Sequence, residues 1–497
     1  MNNIRLSRRH FFYGALLTGA IPAGGFGSTA SLVRLGYKSP NEKLNIAAIG
    51  AGGRAEVNIR GVDSENIVAL ADPDSNRAAN VFGWYEKVPR YKDFRRMLDK
   101  EGSNIDAVLV TTPDHTHTVA ALACMERGKH VYVEKPLAGT VWETRLLMKA
   151  AAKYKVATQM GNQGYSSEGE RIASEIVWSG DIGNVTEVHS WTDRPIWPQG
   201  MMSLPPEEKV PDTLDWDLWV GPARMRPYSS AYLPFNWRGW IDFGSGAMGD
   251  GACHSMGAAN MALRLGAPTS VEVIKKEEFT PYAYPKKTIT RYDFPARGAM
   301  PPVKIFWYEG VTEPPYRPEG LPKDDPFIGG RDAFGPSRES PAKAQQAQGK
   351  QPSSTKSQAT SKTTGGAGGT GFVNSVFGNA AVFVGEKGCM TTDGYGERVR
   401  LLPNSRHQEY QLPPQMLTRS PGHYKDWIRA CKGGEHACSH FSVSAPFTEW
   451  AILGLVALRF EGKLEWDGAK MRFTNRPEAN KYLKPFMRKG WELKDIS

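Results

Sequence analysis

The chain reads as an α/β protein, an N-terminal doubly wound parallel sheet followed by a second domain built on an antiparallel sheet. Three observations predict this. An apolar strand, a glycine-dense turn, a helix and a second apolar strand follow one another over 44–72. Buried-strand patterns at 105–112 and 130–134 then alternate with helical stretches through short turns, as in βαβ units. From 269 onward the runs 269–274, 288–294 and 303–308 alternate apolar and polar residues between turns, which suits antiparallel pairing.

The first unit, KLNIAAIGAGGRAEVNIRGVDSENIVALAD, carries the most information. Gly50 and Gly52 permit a tight turn and let backbone approach a pyrophosphate. Gly53 and Arg54 complete the turn, and the free N–H groups of the following helix face that anion. Asp72 lies about twenty residues on, where a carboxylate accepts from both ribose hydroxyls and repels a phosphate on that ribose. NAD is therefore expected, not NADP. Ala55 stands at the third position of G-x-G-x-x-G and is small enough for helix–strand packing. No Gly-Lys-Ser/Thr follows, which excludes a phosphate loop of the ATPase kind.

A length of 497 residues accommodates two ordinary domains. The net charge of +10 is spread along the chain with acids interleaved, which speaks against nucleic-acid binding. No internal apolar run is long enough to span a bilayer. The five cysteines show no metal-ligand spacing; Cys431 and Cys438 could pair after export, but buried or incidental thiols are the simpler expectation. At the N-terminus, Ser7-Arg8-Arg9-His10-Phe11-Phe12 precedes a mildly apolar stretch and a small-residue site at 28–30. This resembles a twin-arginine export signal over 1–30, implying passage through the twin-arginine translocase and a periplasmic location. That route carries folded proteins, so the cofactor is expected to be loaded before export, held tightly and regenerated in place.

In doubly wound sheets ligands sit at the carboxyl ends of strands. The loop TTPDHTH after the third long strand, Glu134-Lys135-Pro136 after the next, and Gln163 after the strand at 156–159 are placed there. Thr112, Pro113, His115, Glu134, Lys135 and Gln163 are thus expected at the cofactor. His115 and His117 have no third ligand nearby in sequence, so no metal is expected and helix capping and loop packing fit them better. Lysine directly after a buried strand needs a partner or a task. A structural pair with Glu134 is one reading, a functional ammonium the other.

Together GAGGRA, Asp72, TTPDHTH and EKP resemble the Gfo/Idh/MocA family, which includes glucose–fructose oxidoreductase and inositol dehydrogenase. The resemblance runs from about Lys43 to the C-terminus apart from one insert. It implies a Rossmann domain over 43–160 and, over 161–497, an α/β domain for substrate and oligomerisation with an open, mostly antiparallel sheet. A homo-oligomer is the default expectation, because that sheet often forms a subunit interface. The family's dehydrogenases use the EKP lysine with an Asp-x-x-x-His pair, matched here by Lys135, Asp250 and His254. The implied roles are His254 as base, Asp250 as its orienting partner, and Lys135 as donor to the reacting oxygen. Four-residue spacing puts Asp250 and His254 on one helix face, and an N-terminal helix position is expected to keep the imidazole neutral.

Between 216 and 250, Trp237, Arg238, Trp240 and Asp242 offer flat apolar faces beside charged groups, as a sugar ring requires. A tryptophan-rich domain core explains the same residues equally well. Residues 331–370 are rich in Gln, Ser, Thr, Lys and Gly and are expected to be disordered. Helices at 424–430 and 445–460 and a strand at 463–466 follow. His423, at a helix start, is read as a cap or a contributor to the site. The expected activity is NAD-dependent oxidation or reduction of a secondary hydroxyl on a sugar, glycoside or cyclitol. The rivals are an NAD-dependent glycosidase acting through a transient keto-sugar, and a sugar-binding relic without catalysis.

Overall fold

A computed structural model describes residues 42–325 and 379–496. The export signal (1–30) and the insert (331–370) lie outside the described residues. The first sheet has six parallel strands in the order β3-β2-β1-β4-β5-β6. These are β1 (Asn45–Ile49), β2 (Asn66–Ala71), β3 (Arg90–Tyr91), β4 (Ala107–Val110), β5 (His130–Val133) and β6 (Thr158–Met160). The order reverses between β1 and β4, so the strand ends of β1, β4 and β5 open onto one crevice. Helix α1 (Arg54–Gly61) follows β1, and α2 (Val141–Tyr154) joins β5 to β6, its Thr140 hydroxyl accepting from the Glu143 amide.

Helix α3 (Glu168–Ser179) leads into the second sheet, nine strands in the order β13-β12-β11-β7-β10-β9-β8-β14-β15. Its members are β7 (Val185–Trp191), β8 (Ser270–Glu277), β9 (Lys287–Phe294), β10 (Val303–Glu309), β11 (Ala380–Gly385), β12 (Gly388–Asp393), β13 (Val399–Leu402), β14 (Leu464–Asp467) and β15 (Arg472–Phe473). Among the described residues only the β7–β10 pair of this sheet is parallel. The alternating burial of β9 and β10 explains why their patterns were legible.

Three helices fix the site. Helix α4 (Gly246–Ser255) carries Asp250 and His254 and lies against Trp307 of β10. Helix α5 (His423–Cys431) comes from far down the chain yet packs into the first domain: Trp427, Ile428 and Cys431 join the β1–β4 core. Helix α6 (Phe441–Ala457) is apolar nearly all round and buried between layers, held to α2 by a two-pronged Arg145–Glu449 pair at 2.7 and 2.6 Å. It begins a turn before the expected 445. Pro446 lies inside it and removes only one backbone donor from an otherwise buried helix. All five cysteines are free; Cys438 Sγ accepts from Arg171 Nη2 at 2.8 Å and does not pair with the buried Cys431. No helix among the described residues is long and apolar enough to cross a membrane.

Candidate active site

The crevice is built from strand ends. Gly50 adopts φ +81°, and a Cβ there would stand 2.5 Å from the Thr111 carbonyl just past β4, so the turn from β1 into α1 admits only glycine there. Gly53 caps α1 with no side-chain hydrogen bond among the described residues, and the Ala55 and Glu56 amides donate back to the Gly52 and Gly53 carbonyls at 3.3 and 3.1 Å. Asp72 closes β2. Its Oδ2 accepts from the Ala51 amide at 2.8 Å and its Oδ1 from the Asp74 amide at 2.9 Å. Burial pushes this carboxyl up to about 6 against those amides. Asp72 thus anchors the glycine turn. Arg77, which sequence reasoning missed, lies against Gly52 and Gly53 and sets a cation over the turn.

At the end of β5, Glu134 turns away from its neighbour's ammonium. Its Oε1 accepts from Arg54 Nε at 3.1 Å and Asn58 Nδ2 at 2.9 Å. Burial raises this carboxyl, and Arg54 and Lys135 more than reverse that, leaving it below the ordinary value. Gly161 is required beside it, because a Cβ would sit 2.8 Å from the carboxyl carbon. The structural pairing of Lys135 with Glu134 is therefore corrected. Lys135 Nζ reaches 115 residues along the chain to Asp250, 2.6 Å from Oδ1 and 3.0 Å from the backbone carbonyl.

Asp250 Oδ1 also accepts from Arg238 Nε at 2.9 Å. Burial raises this carboxyl, but two cations on one oxygen hold it far below the carboxylate range. Its lone pairs serve Lys135 and Arg238, which corrects the expectation that Asp250 orients His254. The helix-start argument is corrected too: His254 sits in the last turn of α4, where the dipole favours a cation. Burial first, then the Lys135 charge, hold the imidazole neutral at about 3. Its Nδ1 is buried without a hydrogen-bond partner among the described residues. Tyr395 covers the ring at a centroid distance of 4.6 Å. That residue lies in a turn after β12, where one sequence offers no signal.

The remaining candidates separate. His115 is a bridge: its ring nitrogens lie 3.1 Å from the Phe243 carbonyl and 3.0 Å from that of Trp219, so its side chain is not free for a cofactor. Burial lowers it to about 4. His117 spans the carbonyls of Pro136 and Thr112 at 2.8 and 2.9 Å, a loop-packing role as expected. Pro113 precedes the short helical turn that carries them. Gln163 Nε2 donates to the Tyr132 hydroxyl at 3.4 Å. His423 neither caps α5 nor reaches His254; it joins Tyr132 at 3.1 Å and Ser166 at 3.0 Å. Trp240 stands edge-on to Tyr232 within an aromatic core, and Asp242 is paired with Arg226. Trp237 belongs to the same core and supports the Arg238 guanidinium at 4.3 Å. Of these four only Arg238 meets the reactive set.

The residues fit a dinucleotide. The glycine cradle has no room for a Cβ, no described side chain occupies the N-terminus of α1, and Thr112 Oγ1 just past β4 is buried without a hydrogen-bond partner among the described residues. Gly50, Gly52, Gly53 and Arg54 would hold the pyrophosphate and Asp72 the ribose.

A six-stranded parallel sheet with this crevice, joined to a mostly antiparallel sheet, defines a two-domain protein of the Rossmann class. The oxidoreductase family Gfo/Idh/MocA matches in both halves: its NAD-binding Rossmann fold over 44–162 and its C-terminal alpha/beta domain over 178–283. Both stretches of the chain are similar to this family, and the first domain matches its NAD-binding Rossmann fold. Relatives include an inositol 2-dehydrogenase 3 of Saccharopolyspora erythraea, 32% identical over 35% of this chain and 53% of the relative. A glycosyl hydrolase family 109 protein of Solibacter usitatus is 30% identical over 32% of this chain and 39% of the relative. The chain thus spans about half, or less, of the curated relatives it matches. The WlbA dehydrogenase of Bordetella pertussis, solved with NADH and UDP-GlcNAcA, superposes with a TM-score of 0.53 at 14% identity, over 86% of this chain and 99% of that one. At that identity the likeness concerns the fold.

Proposed function

We propose that the protein oxidises or reduces a secondary hydroxyl of a sugar, glycoside or cyclitol with NAD. The observation that carries this is the convergence of Lys135, Asp250 and a neutral, unpartnered His254 at the end of β5. NAD, when bound, accepts or returns the hydride. Lys135 Nζ donates to the reacting oxygen and stabilises negative charge developing there. His254 takes the hydroxyl proton, and the Asp250 and Glu134 charges favour the imidazolium that results. Asp250 holds Lys135 in place, and Arg238 holds Asp250. The similarity to inositol dehydrogenases supports a polyol substrate.

The test is a panel of sugars and cyclitols offered to the NAD-loaded protein while NADH fluorescence is followed. Absence of NADH formation across the panel defeats the reading. The similarity to a family 109 glycosyl hydrolase favours one alternative, glycoside cleavage through a transient keto-sugar. Catalytic p-nitrophenol release from p-nitrophenyl glycosides without added NAD would select it. We further propose twin-arginine export to the periplasm with cofactor already bound, and assembly as a homo-oligomer. Native mass spectrometry of protein purified from periplasm tests both, an empty monomer refuting them.

A further inference from the structure

Beyond the reactive set, the described part of the molecule leaves one guanidinium in the same neighbourhood without an acid. Arg194 follows β7, and its side chain, partly buried, makes no ion pair or hydrogen bond with any described residue. Its guanidinium carbon lies 5.9 Å from the centroid of Trp197. The guanidinium of Arg238 lies 5.7 Å from the same ring. Trp197 is only 4% exposed, and its Nε1 donates to Gln199 Oε1 at 2.9 Å, which fixes the indole.

Trp197 and Gln199 line a cleft of about 550 Å³ together with Asp193, Pro195, Met201 and Lys286. Its acid and its lysine are already engaged: Lys286 pairs with Glu278 at 2.7 Å, and Asp193 has an interaction of its own. The two arginines differ. Arg238 donates Nε to Asp250 and a long bond from Nη1 to the Phe235 carbonyl, leaving Nη2 without a described partner. Lys135 and Arg238 share Asp250, with the Asp114 and Glu134 carboxyls also close enough to feel their charge, whereas Arg194 has no acid paired with it among the described residues. Arg194 also faces the reactive side: burial raises the Tyr395 phenol that covers His254, and the nearby charges of Arg54 and Arg194 oppose that rise.

Partly desolvated guanidiniums with unused donors favour an oxyanion, which they bind through charge-assisted and often paired hydrogen bonds. A neutral ring would leave the Arg194 charge uncompensated and the remaining Arg238 donor unused. We propose that Arg194 and Arg238, set against Trp197, seat an oxyanion substituent, carboxylate or phosphate, on the sugar whose hydroxyl faces Lys135 and His254. This assignment rests on the carbohydrate oxidoreductase reading above.

The experiment is calorimetric titration of the NAD-loaded full chain with D-glucuronate, D-glucose 6-phosphate and D-glucose at low salt, with NADH formation recorded in parallel. At least one anionic sugar should bind about tenfold tighter than glucose or better, and which one separates carboxylate from phosphate. Arg194→Gln should erase that advantage without weakening glucose, and Arg194→Lys should restore part of it. Unchanged melting of both variants shows that the fold is intact. Glucose binding as tightly as both anions, no binding of either anion, or an Arg194→Gln loss shared by all three sugars overturns the seat. Turnover of glucose with no anionic preference removes the seat and leaves the oxidoreductase reading. Arginine-dependent anion binding with no NADH from any sugar does the reverse.

Discussion

Two neighbouring regions of the second domain are held together by opposite means. From Trp216 to Phe243 the chain forms an aromatic core in which Trp216 stacks on Trp219 at 4.9 Å and Phe243 stands edge-on to Trp219 at 5.0 Å. A few residues on, around Asp250, one carboxylate oxygen gathers an ammonium and a guanidinium from two other parts of the chain. The aromatic region is made by burial and tolerates no hole. The charged region is made by pairing and tolerates no missing partner. Arg238 is the hinge between them, its Nε on Asp250 and its flat face on Phe235 and Trp237. Residues of similar composition therefore do different work according to what they touch.

Substitutions sharpen this contrast. The largest effect is expected at Trp219, where truncation to Ala should lower stability by about 3–5 kcal/mol. Chemical denaturation measures it, and a loss near zero would mean the rings are not a core. Next come Lys135→Ala and His254→Ala, each expected to cut turnover by about a hundredfold, about 2.7 kcal/mol at the barrier, with NAD still bound. Near-normal turnover in both, or loss of NAD, breaks their assignment to the chemistry. Asp242→Asn comes third. It should cost about 1–3 kcal/mol of stability by stranding Arg226, while turnover per folded molecule stays unchanged. A selective rise in KM would return Asp242 to the substrate site.

The smallest effect at neutral pH concerns His254. Its folded value of about 3 lies below the ordinary imidazole value, so the unfolded chain takes up its proton first. The residue therefore costs no stability above about pH 6.5 and increasingly destabilises the fold as pH falls below that. Its ring carbon resonance should stay flat between pH 5 and 8. A titration midpoint inside that window would contradict the burial and the Lys135 proximity that keep it neutral.

Much of this was legible in the sequence. The glycine turn, Asp72 and the strand-end position of Lys135 follow from local patterns, because strand, turn and helix signals are short-range. The 2.6 Å meeting of Lys135 with Asp250 was not local; it entered through a family likeness. Legibility failed where a side chain's partner lies far along the chain. Asp250 and His254 share a helix face, yet Arg238 and Lys135 take the carboxylate. His115 looked free at a strand end but is claimed by carbonyls 104 and 128 residues away. Trp240 and Asp242 looked like sugar contacts because a stacking surface and a core have the same composition.

One consequence belongs to helix α5. Trp427, fully buried against β1 and β4, reaches the nucleotide-binding domain from about 260 residues beyond the family's Rossmann match at 44–162. During synthesis that domain emerges early with an indole-sized vacancy in its wall, and nothing local fills it. Completion must wait until residues 423–431 have left the ribosome, so a chain stopped short of them would carry its nucleotide site on an unfinished scaffold.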